Sequence, residues 1–304
     1  MKKKICALFP GQGSQYVGMG RDLYDNFPIA KKIYDEACEI LGFDIKKISF
    51  EGNEEDLKRT SITQPAVLLH SIVCLELFKT FKNEKFDLVM GHSLGEYTAL
   101  YASGVFDFFT VLKLVKKRGE LMEKAGKERP GTMAAVIGLS EDKIKEVCKK
   151  VSGICVPANF NSPSQIVIAG DVSAVKEAYE ILTKEKAKVI MLPVSGAFHS
   201  PLMEPAYLEF KEYLFQFNFN APQIPIIMNA TGELCNDVNT IKRNLEIQII
   251  SPVLWKKSVE TAINYGCETF YELGPGKVLT SLVKKTEEKA VVYNLGKKED
   301  FSSD

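Results

Sequence analysis

The sequence has few of the residues that mark disulfide frameworks, metal centres or nucleic-acid binding. Its seven cysteines include no C-x-x-C pair, and 304 residues contain only three histidines. An odd number of scattered cysteines predicts neither a disulfide framework nor a zinc site. Reduced thiols are typical of a reducing compartment, so we expect a cytoplasmic protein. Lysine plus arginine equals aspartate plus glutamate, 39 against 39, and this balance gives no indication of nucleic-acid binding.

Long apolar runs are lacking as well. No uninterrupted run approaches the roughly 18–20 residues that a membrane span requires, so no membrane association is expected. The apolar stretch ICALFP at residues 5–10 is too short for a signal peptide. It leads straight into a glycine-containing loop, and this order predicts a first β-strand.

Strand and helix signals alternate in the first third of the chain. The run at 86–90 predicts a buried strand, and residues 24–41 and 64–81 predict helices. This alternation predicts an α/β domain around a mostly parallel sheet. Residues 129–196 instead follow a β-α-β-β-α-β order, which is the ferredoxin-like pattern. We therefore expect a ferredoxin-like subdomain at 129–196, inserted into a discontinuous domain of residues 1–128 and 197–304.

Ser93 lies in the run GHSLG, between a predicted strand and a predicted helix. G-x-S-x-G in that position is typical of a nucleophile elbow, where a sharp turn lifts the serine oxygen above the sheet. The following helix would direct free N–H groups at developing negative charge. An ordinary turn residue or helix N-cap is the alternative interpretation of the same pattern.

A serine nucleophile usually needs a histidine base, and the chain offers His70, His92 and His199. His92 adjoins the serine, and neighbours on such a turn are expected to point apart. His70 lies in a strongly apolar helix and is expected to be a core histidine. His199 follows a predicted strand in the loop GAFHS, a favoured place for catalytic residues, and elimination favours it as the base.

Arg118 falls on the apolar stripe of a predicted helix, three residues after Val115 and four before Met122. An inward charge is costly unless it is paired. The side chain could snorkel or pair with an internal carboxylate. Alternatively, its planar fork could receive a substrate carboxylate through two parallel hydrogen bonds.

The loop FPGQGSQYVGMG, which follows the first strand, matches neither phosphate-binding pattern, G-x-G-x-x-G or G-x-x-x-x-G-K-[ST]. At the carboxyl end of a strand it could offer a backbone N–H to an oxyanion, together with the N–H of the residue after the nucleophile. A plain structural turn is the alternative.

Several segments, in order from residue 9 to about 280, together resemble malonyl-CoA:acyl carrier protein transacylases, a family related to the acyltransferase domains of polyketide synthases. They are FPGQGSQ, GHSLGEYTAL, the inward Arg118, NFNSPSQIVIAG, GAFHS, QIISPVLW and YELGPGKVL. The resemblance implies an α/β-hydrolase-like domain with a parallel sheet and a ferredoxin-like insert.

The resemblance also implies a role for each matching position. Ser93 would be the nucleophile and His199 its base, while Arg118 would hold the malonyl carboxylate. The backbone N–H groups of Gln12 and Leu94 would form the oxyanion hole. Three further positions would surround these groups: the backbone carbonyl of Gln248 would orient the histidine, Asn161 would be an active-site neighbour, and Phe198 would crowd the acyl α-carbon. The residues at 249–251 differ from the family's usual ones, in a place where only a backbone contact is expected.

The implied reaction moves a malonyl group from malonyl-CoA to Ser93 and then to the phosphopantetheine thiol of an acyl carrier protein. It would supply fatty-acid synthesis without a bound cofactor or metal. The carrier is expected to dock on basic surface residues, and the enzyme is expected to be a monomer. A serine acyl hydrolase or thioesterase of the same fold is the alternative, disfavoured by Arg118. A non-catalytic carrier-binding module is disfavoured because the chain keeps Ser93 and His199.

Overall fold

A computed structural model describes residues 3–82 and 84–301 of the chain. Within these ranges the strands are β1 (Lys4–Phe9), β2 (Leu88–Gly91), β3 (Gly131–Ile137), β4 (Cys155–Ser162), β5 (Gln165–Asp171), β6 (Lys188–Met191), β7 (Ile226–Ile227), β8 (Leu234–Cys235), β9 (Cys267–Leu273) and β10 (Val291–Leu295). The α-helices are α1 (Arg21–Asn26), α2 (Pro28–Leu41), α3 (Ile45–Glu51), α4 (Glu54–Lys58), α5 (Thr60–Phe81), α6 (Gly95–Ala102), α7 (Phe108–Glu128), α8 (Glu141–Lys150), α9 (Val172–Lys184), α10 (Glu204–Leu214), α11 (Val238–Ile247), α12 (Trp255–Asn264) and α13 (Val278–Thr286). Short 3-10 helices span Pro201–Met203 and Lys298–Asp300.

The larger sheet has the order β10-β9-β1-β2-β7-β8 and is parallel except for its last pair, β7 and β8. Its central strands β1 and β2 are apolar and buried on both faces, as expected for a sheet covered by helices on each side. The α/β class with a mostly parallel sheet, expected from the sequence, is confirmed. Because β1 and β2 are parallel neighbours, the loops after them meet at one edge of the sheet.

The smaller sheet has the order β4-β5-β3-β6 and is antiparallel throughout. Its apolar side chains form a separate core with the apolar faces of α8 and α9. The opposite face, including Ala135, Val167 and Ala169, packs into the main core. A parallel bridge between Asn159 and Val253 joins this sheet to the rest of the molecule.

Two helices differ from the sequence prediction. The segment 24–41 is broken at Phe27, which has extended backbone, and α2 starts at Pro28, a residue suited to the first helical position. Helix α5 begins four residues earlier than expected and contains Pro65 in its first turns. By length and composition α5 could also cross a membrane, contrary to the expectation of no such stretch, but 83% of its most apolar window is buried inside the molecule.

Candidate active site

The Ser93 turn joins the end of β2 to the start of α6, and two glycines make it sterically feasible. A Cβ on Gly91 would lie 2.0 Å from the carbonyl oxygen of Gly95, and a Cβ on Gly95 would lie 2.0 Å from that of Phe9. Ser93 itself has φ of 52°, a left-handed conformation that is costly for a residue with a side chain. The strained turn and its flanking glycines have the geometry of a nucleophile elbow.

His199 lies within hydrogen-bonding distance of this serine. The Ser93 Oγ is 2.7 Å from His199 Nε2, although 106 residues separate the two in the chain. His199 is in the loop after β6 and also has positive φ, 58°. Its Nδ1 is 3.0 Å from the backbone carbonyl of Gln248 and 3.1 Å from that of Ser251. Since carbonyls only accept, Nδ1 carries the proton and Nε2 is free to accept one from Ser93.

Burial keeps this imidazole neutral. Desolvation, with a smaller contribution from the nearby positive charge of Arg118, lowers the pKa of His199 from 6.5 to about 3. Near neutral pH the ring is therefore the unprotonated form that a general base requires.

Arg118 extends from α7 into the same site and is completely buried. Its Nη2 donates to Ser93 Oγ at 3.2 Å and to the side-chain oxygen of Gln248 at 3.0 Å. Its Nη1 donates to Gln64 Oε1 at 2.7 Å, and its guanidinium carbon lies 5.4 Å from the ring centre of Tyr97. The buried Nε has no hydrogen-bond partner among the described residues. Among the described residues no carboxylate contacts Arg118, and its side chain does not reach solvent. An internal ion pair and a snorkelling side chain are therefore both ruled out for the described residues.

Gln12 and Leu94 border the same cavity as Ser93. The loop after β1 is held against the elbow, because His92 N–H donates to the carbonyl of Phe9 at 3.0 Å. Leu94 directly precedes α6, and the N–H groups of the next two residues donate to the carbonyls of His92 and Ser93. The two residues therefore lie where backbone donors could meet an oxyanion formed at Ser93.

The cavity above Ser93 has a volume of about 100 Å³. Its walls are polar around the serine and mostly apolar on the side of the smaller sheet. They consist of Gln12, Gln64, His92, Ser93, Leu94, Arg118, Met122, Met133, Asn159, Leu192, Val194, Phe198 and His199. Within residues 3–82 and 84–301, no group of three or more histidine, cysteine or acidic residues is placed to hold a metal ion.

The acyl transferase domain family matches residues 7–301 of the chain. The protein belongs to this acyl transferase family. It is 43% identical to the malonyl CoA-acyl carrier protein transacylase of Bacillus subtilis (strain 168), covering 93% of this chain and 90% of that protein. The enzyme of the same name from Staphylococcus aureus (strain MRSA252) is also 43% identical, with 93% and 92% covered.

Solved structures agree with this assignment. The acyl carrier protein S-malonyltransferase of Vibrio cholerae superposes with a TM-score of 0.93 at 40% identity, covering 98% of each chain. A malonyl-transacylase in complex with a type II PKS acyl-carrier protein superposes with a TM-score of 0.95 at 36% identity, covering 98% of this chain and 97% of that one.

The structure brings most of the residues predicted for this acyl transferase site together. Ser93, His199, Arg118 and the Gln248 carbonyl are in direct contact, and Phe198 is 6% exposed in the cavity wall. Asn161 is absent from the wall. Its Oδ1 accepts from His92 Nε2 at 2.8 Å, and this hydrogen bond connects it to the cavity wall.

His92 also borders the cavity, but its ring hydrogen-bonds with Asn161 and not with Ser93, whose Oγ contacts His199 and Arg118. The ring fits there because Asn161 accepts from it on one side and the Trp255 ring lies 5.5 Å away. His70 is a core histidine, as expected, with Nε2 donating to the Gly296 carbonyl at 2.9 Å.

Several contributors to the site were missed from the sequence. Asn229 accepts from Ser93 N–H and donates to the Gly91 carbonyl, both at 2.7 Å, and so clamps the two ends of the elbow. Three more side chains contribute to the site. Gln64 and Gln248 accept hydrogen bonds from Arg118, and Glu96 accepts one from Gln248. An acidic residue in the motif GHSLGE was the one visible signal for Glu96. Nothing local marks the two glutamines or the asparagine, because their contacts cross between distant segments.

Proposed function

We propose that the protein transfers the malonyl group of malonyl-CoA to the phosphopantetheine thiol of an acyl carrier protein through a malonyl ester on Ser93. The observation that carries the proposal is a buried arginine 3.2 Å from a serine that is hydrogen-bonded to a neutral histidine. The names of the related enzymes, which are malonyl CoA-acyl carrier protein transacylases, support the same reaction.

In the first half-reaction His199 Nε2 takes the proton of Ser93 while Oγ attacks the thioester carbonyl. The negative charge that forms on the carbonyl oxygen would be met by the N–H groups of Gln12 and Leu94. Removing one such donor costs about 100–1,000-fold in other acyl-transfer enzymes. When the tetrahedral intermediate collapses, the carbon–sulfur bond breaks and His199 returns the proton to the departing coenzyme A thiolate.

The second half-reaction reverses these roles with a different thiol. His199 removes the proton of the phosphopantetheine thiol, and the sulfur attacks the ester carbonyl of malonyl-Ser93. The bond between the carbonyl carbon and Oγ then breaks, and His199 protonates Oγ. The carbonyls of Gln248 and Ser251 hold Nδ1–H throughout, so two neutral acceptors take the place of the aspartate of a serine triad.

Arg118 would select the acyl group. A terminal carboxylate bound by the guanidinium would place the thioester carbonyl over Ser93. Because Arg118 is fully buried, the attraction between guanidinium and carboxylate would be little screened by water. Phe198 in the cavity wall would crowd a substituent on the α-carbon. One methyl group in an apolar pocket is worth about 1–3 kcal/mol, so we expect a preference for malonyl over methylmalonyl groups rather than exclusion.

We describe the fold as an α/β-hydrolase-like domain, residues 1–128 and 197–304, with a ferredoxin-like subdomain at 129–196. The nucleophile turn after a central parallel strand supports the first part. The order β3-α8-β4-β5-α9-β6 with antiparallel pairing supports the second. Residues 1, 2, 83 and 302–304 of the larger unit lie outside the described residues.

We propose a cytoplasmic monomer that serves fatty-acid synthesis and docks its carrier protein through basic surface residues. The solved complex of a related malonyl-transacylase with an acyl-carrier protein supports the carrier as partner. Free thiols at all seven cysteines support a reducing compartment.

A transfer assay separates this function from hydrolysis. The protein, malonyl-CoA and holo acyl carrier protein are mixed, and the mass of the carrier and the release of free malonate are followed together. We expect the carrier to gain a malonyl group with little free malonate. Malonate release without carrier loading would favour the acyl hydrolase alternative.

A further inference from the structure

Glu96 is a buried carboxyl group beneath the Ser93 turn that has no part in the reaction described above. It is 1% exposed and lies in the first turn of α6, three residues after the serine. Its Oε1 accepts from the backbone N–H of Asn229 at 3.1 Å, and its Oε2 accepts from Gln248 Nε2 at 2.7 Å. An ionised side chain this deeply buried is costly unless its partners compensate for the lost water.

Gln248 connects this carboxylate to the reacting groups. Its Nε2 donates to Glu96 and also to the backbone carbonyl of Ser93, at 2.8 Å. Its Oε1 accepts from Arg118 Nη2 at 3.0 Å. Both amide hydrogens and the amide oxygen are therefore engaged, and one side chain touches the elbow, the arginine and the carboxylate.

Glu96 determines which way this amide faces. An ionised carboxylate can only accept, so it requires the NH₂ end of Gln248 and turns the oxygen towards Arg118. In the flipped orientation an NH₂ group would face the guanidinium, donor against donor. Through Gln248, the Glu96 carboxylate thus determines whether Arg118 has a hydrogen-bond acceptor beside Ser93.

The arginine depends on this acceptor because it is fully buried and no carboxylate of the described residues contacts it. Its polar contacts there are the neutral Gln64, Gln248 and Ser93. Burial lowers the pKa of Arg118, and the negative charge of Glu96, behind Gln248, opposes this effect. The negative charge that balances Arg118 is therefore separated from it by a single amide.

We propose that Glu96 is a positioning residue that acts through the side chain of Gln248 to hold Arg118 Nη2 beside Ser93 Oγ, and that this relay sets the preference for acyl groups bearing a carboxylate. The proposal rests on the proposed malonyl transfer and deepens it. An acyl group without a carboxylate makes no use of the arginine's position, whereas malonyl depends on it.

The test compares Glu96→Gln with wild type, using malonyl-CoA and acetyl-CoA as donors and measuring kcat/KM for each. A glutamine at 96 has one acceptor oxygen for two donors, so the orientation of Gln248 is no longer enforced. We expect malonyl kcat/KM to fall by about 10–100-fold, as for loss of one hydrogen bond to a charged group. Acetyl kcat/KM should change by less than about 3-fold, so the malonyl-to-acetyl ratio falls.

Glu272→Gln is the matched control. Glu272 is also a fully buried carboxyl that accepts backbone N–H groups, those of Leu279 and Thr280, but it caps α13 away from the cavity. Its replacement should lower stability and leave the malonyl-to-acetyl ratio unchanged. If Glu96→Gln lowers both donors equally, Glu96 only supports the elbow and the proposal is overturned.

A second variant tests the same relay in case Glu96→Gln does not fold. Gln248→Met keeps the backbone carbonyl that orients His199 and removes the amide, so it should lower the malonyl-to-acetyl ratio in the same way. An unchanged ratio in Gln248→Met contradicts the relay even if Glu96→Gln cannot be purified. Wild-type protein that transfers no malonyl group at all would contradict the proposed function instead, so the two failures are distinguishable.

Discussion

Arg118 Nη2 lies 3.2 Å from Ser93 Oγ, so the arginine donates to the atom that is to attack the substrate. The same oxygen is 2.7 Å from His199 Nε2, to which it donates its own proton. A carboxylate that enters would take over the arginine's hydrogens and leave the serine with its base alone. The hydrogen bond between Arg118 and Ser93 therefore links binding of the substrate carboxylate to activation of the serine.

Replacing Arg118 with lysine tests the need for a planar fork. Lysine keeps the charge but cannot bind a carboxylate through two parallel hydrogen bonds. We expect malonyl kcat/KM to fall about 100-fold, the effect of losing roughly 2–3 kcal/mol of charge-assisted hydrogen bonding.

Arg129→Lys is the control for this substitution, because Arg129 follows α7 directly and pairs with Glu204 at the surface. It should leave malonyl transfer unchanged. Equal malonyl activity in Arg118→Lys and wild type would mean that Arg118 does not bind the carboxylate through its fork.

The pH dependence of malonyl transfer should follow Glu96. Burial raises the pKa of this carboxyl from 4.5 to about 7, and its hydrogen bonds and the charge of Arg118 oppose the rise. The relay needs the ionised form, so malonyl kcat/KM should fall as the pH drops below about 7. Protonation of His199 does not account for this step, because burial lowers the pKa of that imidazole to about 3.

Rates measured from pH 5 to 9 with both donors check this prediction. The step near pH 7 should be present for malonyl-CoA in wild type and absent in Glu96→Gln. An identical step in the variant would assign it to another group.

The glycines of the elbow should be intolerant of a methyl group. In Gly91→Ala the new Cβ would lie 2.0 Å from the Gly95 carbonyl oxygen, so the turn has to shift. We expect a loss of about 1–3 kcal/mol in the free energy of unfolding, as for overpacked sites, together with a large loss of acylation.

Gly196→Ala provides the comparison, since its Cβ would meet nothing closer than 3.3 Å. It should cost less than about 1 kcal/mol in urea unfolding. Similar losses in the two variants would show that the close approach at Gly91 does not limit the turn.

His70 should make folding stability sensitive to acid. Burial lowers its pKa from 6.5 to about 4, so between these values the unfolded chain binds a proton that the folded protein does not. Stability should be retained above pH 6.5 and decline as the pH falls towards 4. His70→Gln, which can still donate to the Gly296 carbonyl, should reduce that slope by up to about 1.4 kcal/mol per pH unit in urea titrations. An unchanged slope would contradict a neutral buried His70.

Site residues could be predicted from the sequence where a local pattern marks them. G-x-S-x-G between a strand and a helix predicted the position of Ser93, and helical spacing predicted that Arg118 points inward. His199 followed from elimination among three histidines, and its contact with the serine across 106 residues was an expectation that the structure satisfies.

The rest of the site depends on packing between remote segments. Gln248 reaches Ser93 and Glu96 across more than 150 residues, and no periodicity or motif encodes which way its amide faces. The resemblance pointed to its backbone carbonyl, and the role of its side chain became visible only with α6 and the end of α11 in place. The break between α1 and α2 depends on the single pair Phe27-Pro28, which helical periodicity passes over.

The central claim is a covalent malonyl ester on Ser93. Wild type and Ser93→Ala are each mixed briefly with malonyl-CoA, and separately with acetyl-CoA, and the intact protein masses are recorded. We expect a malonyl adduct on wild type, a weak acetyl adduct on wild type and no adduct on Ser93→Ala. An equal malonyl adduct on Ser93→Ala, or folded wild type that neither forms an adduct nor consumes malonyl-CoA, would contradict it.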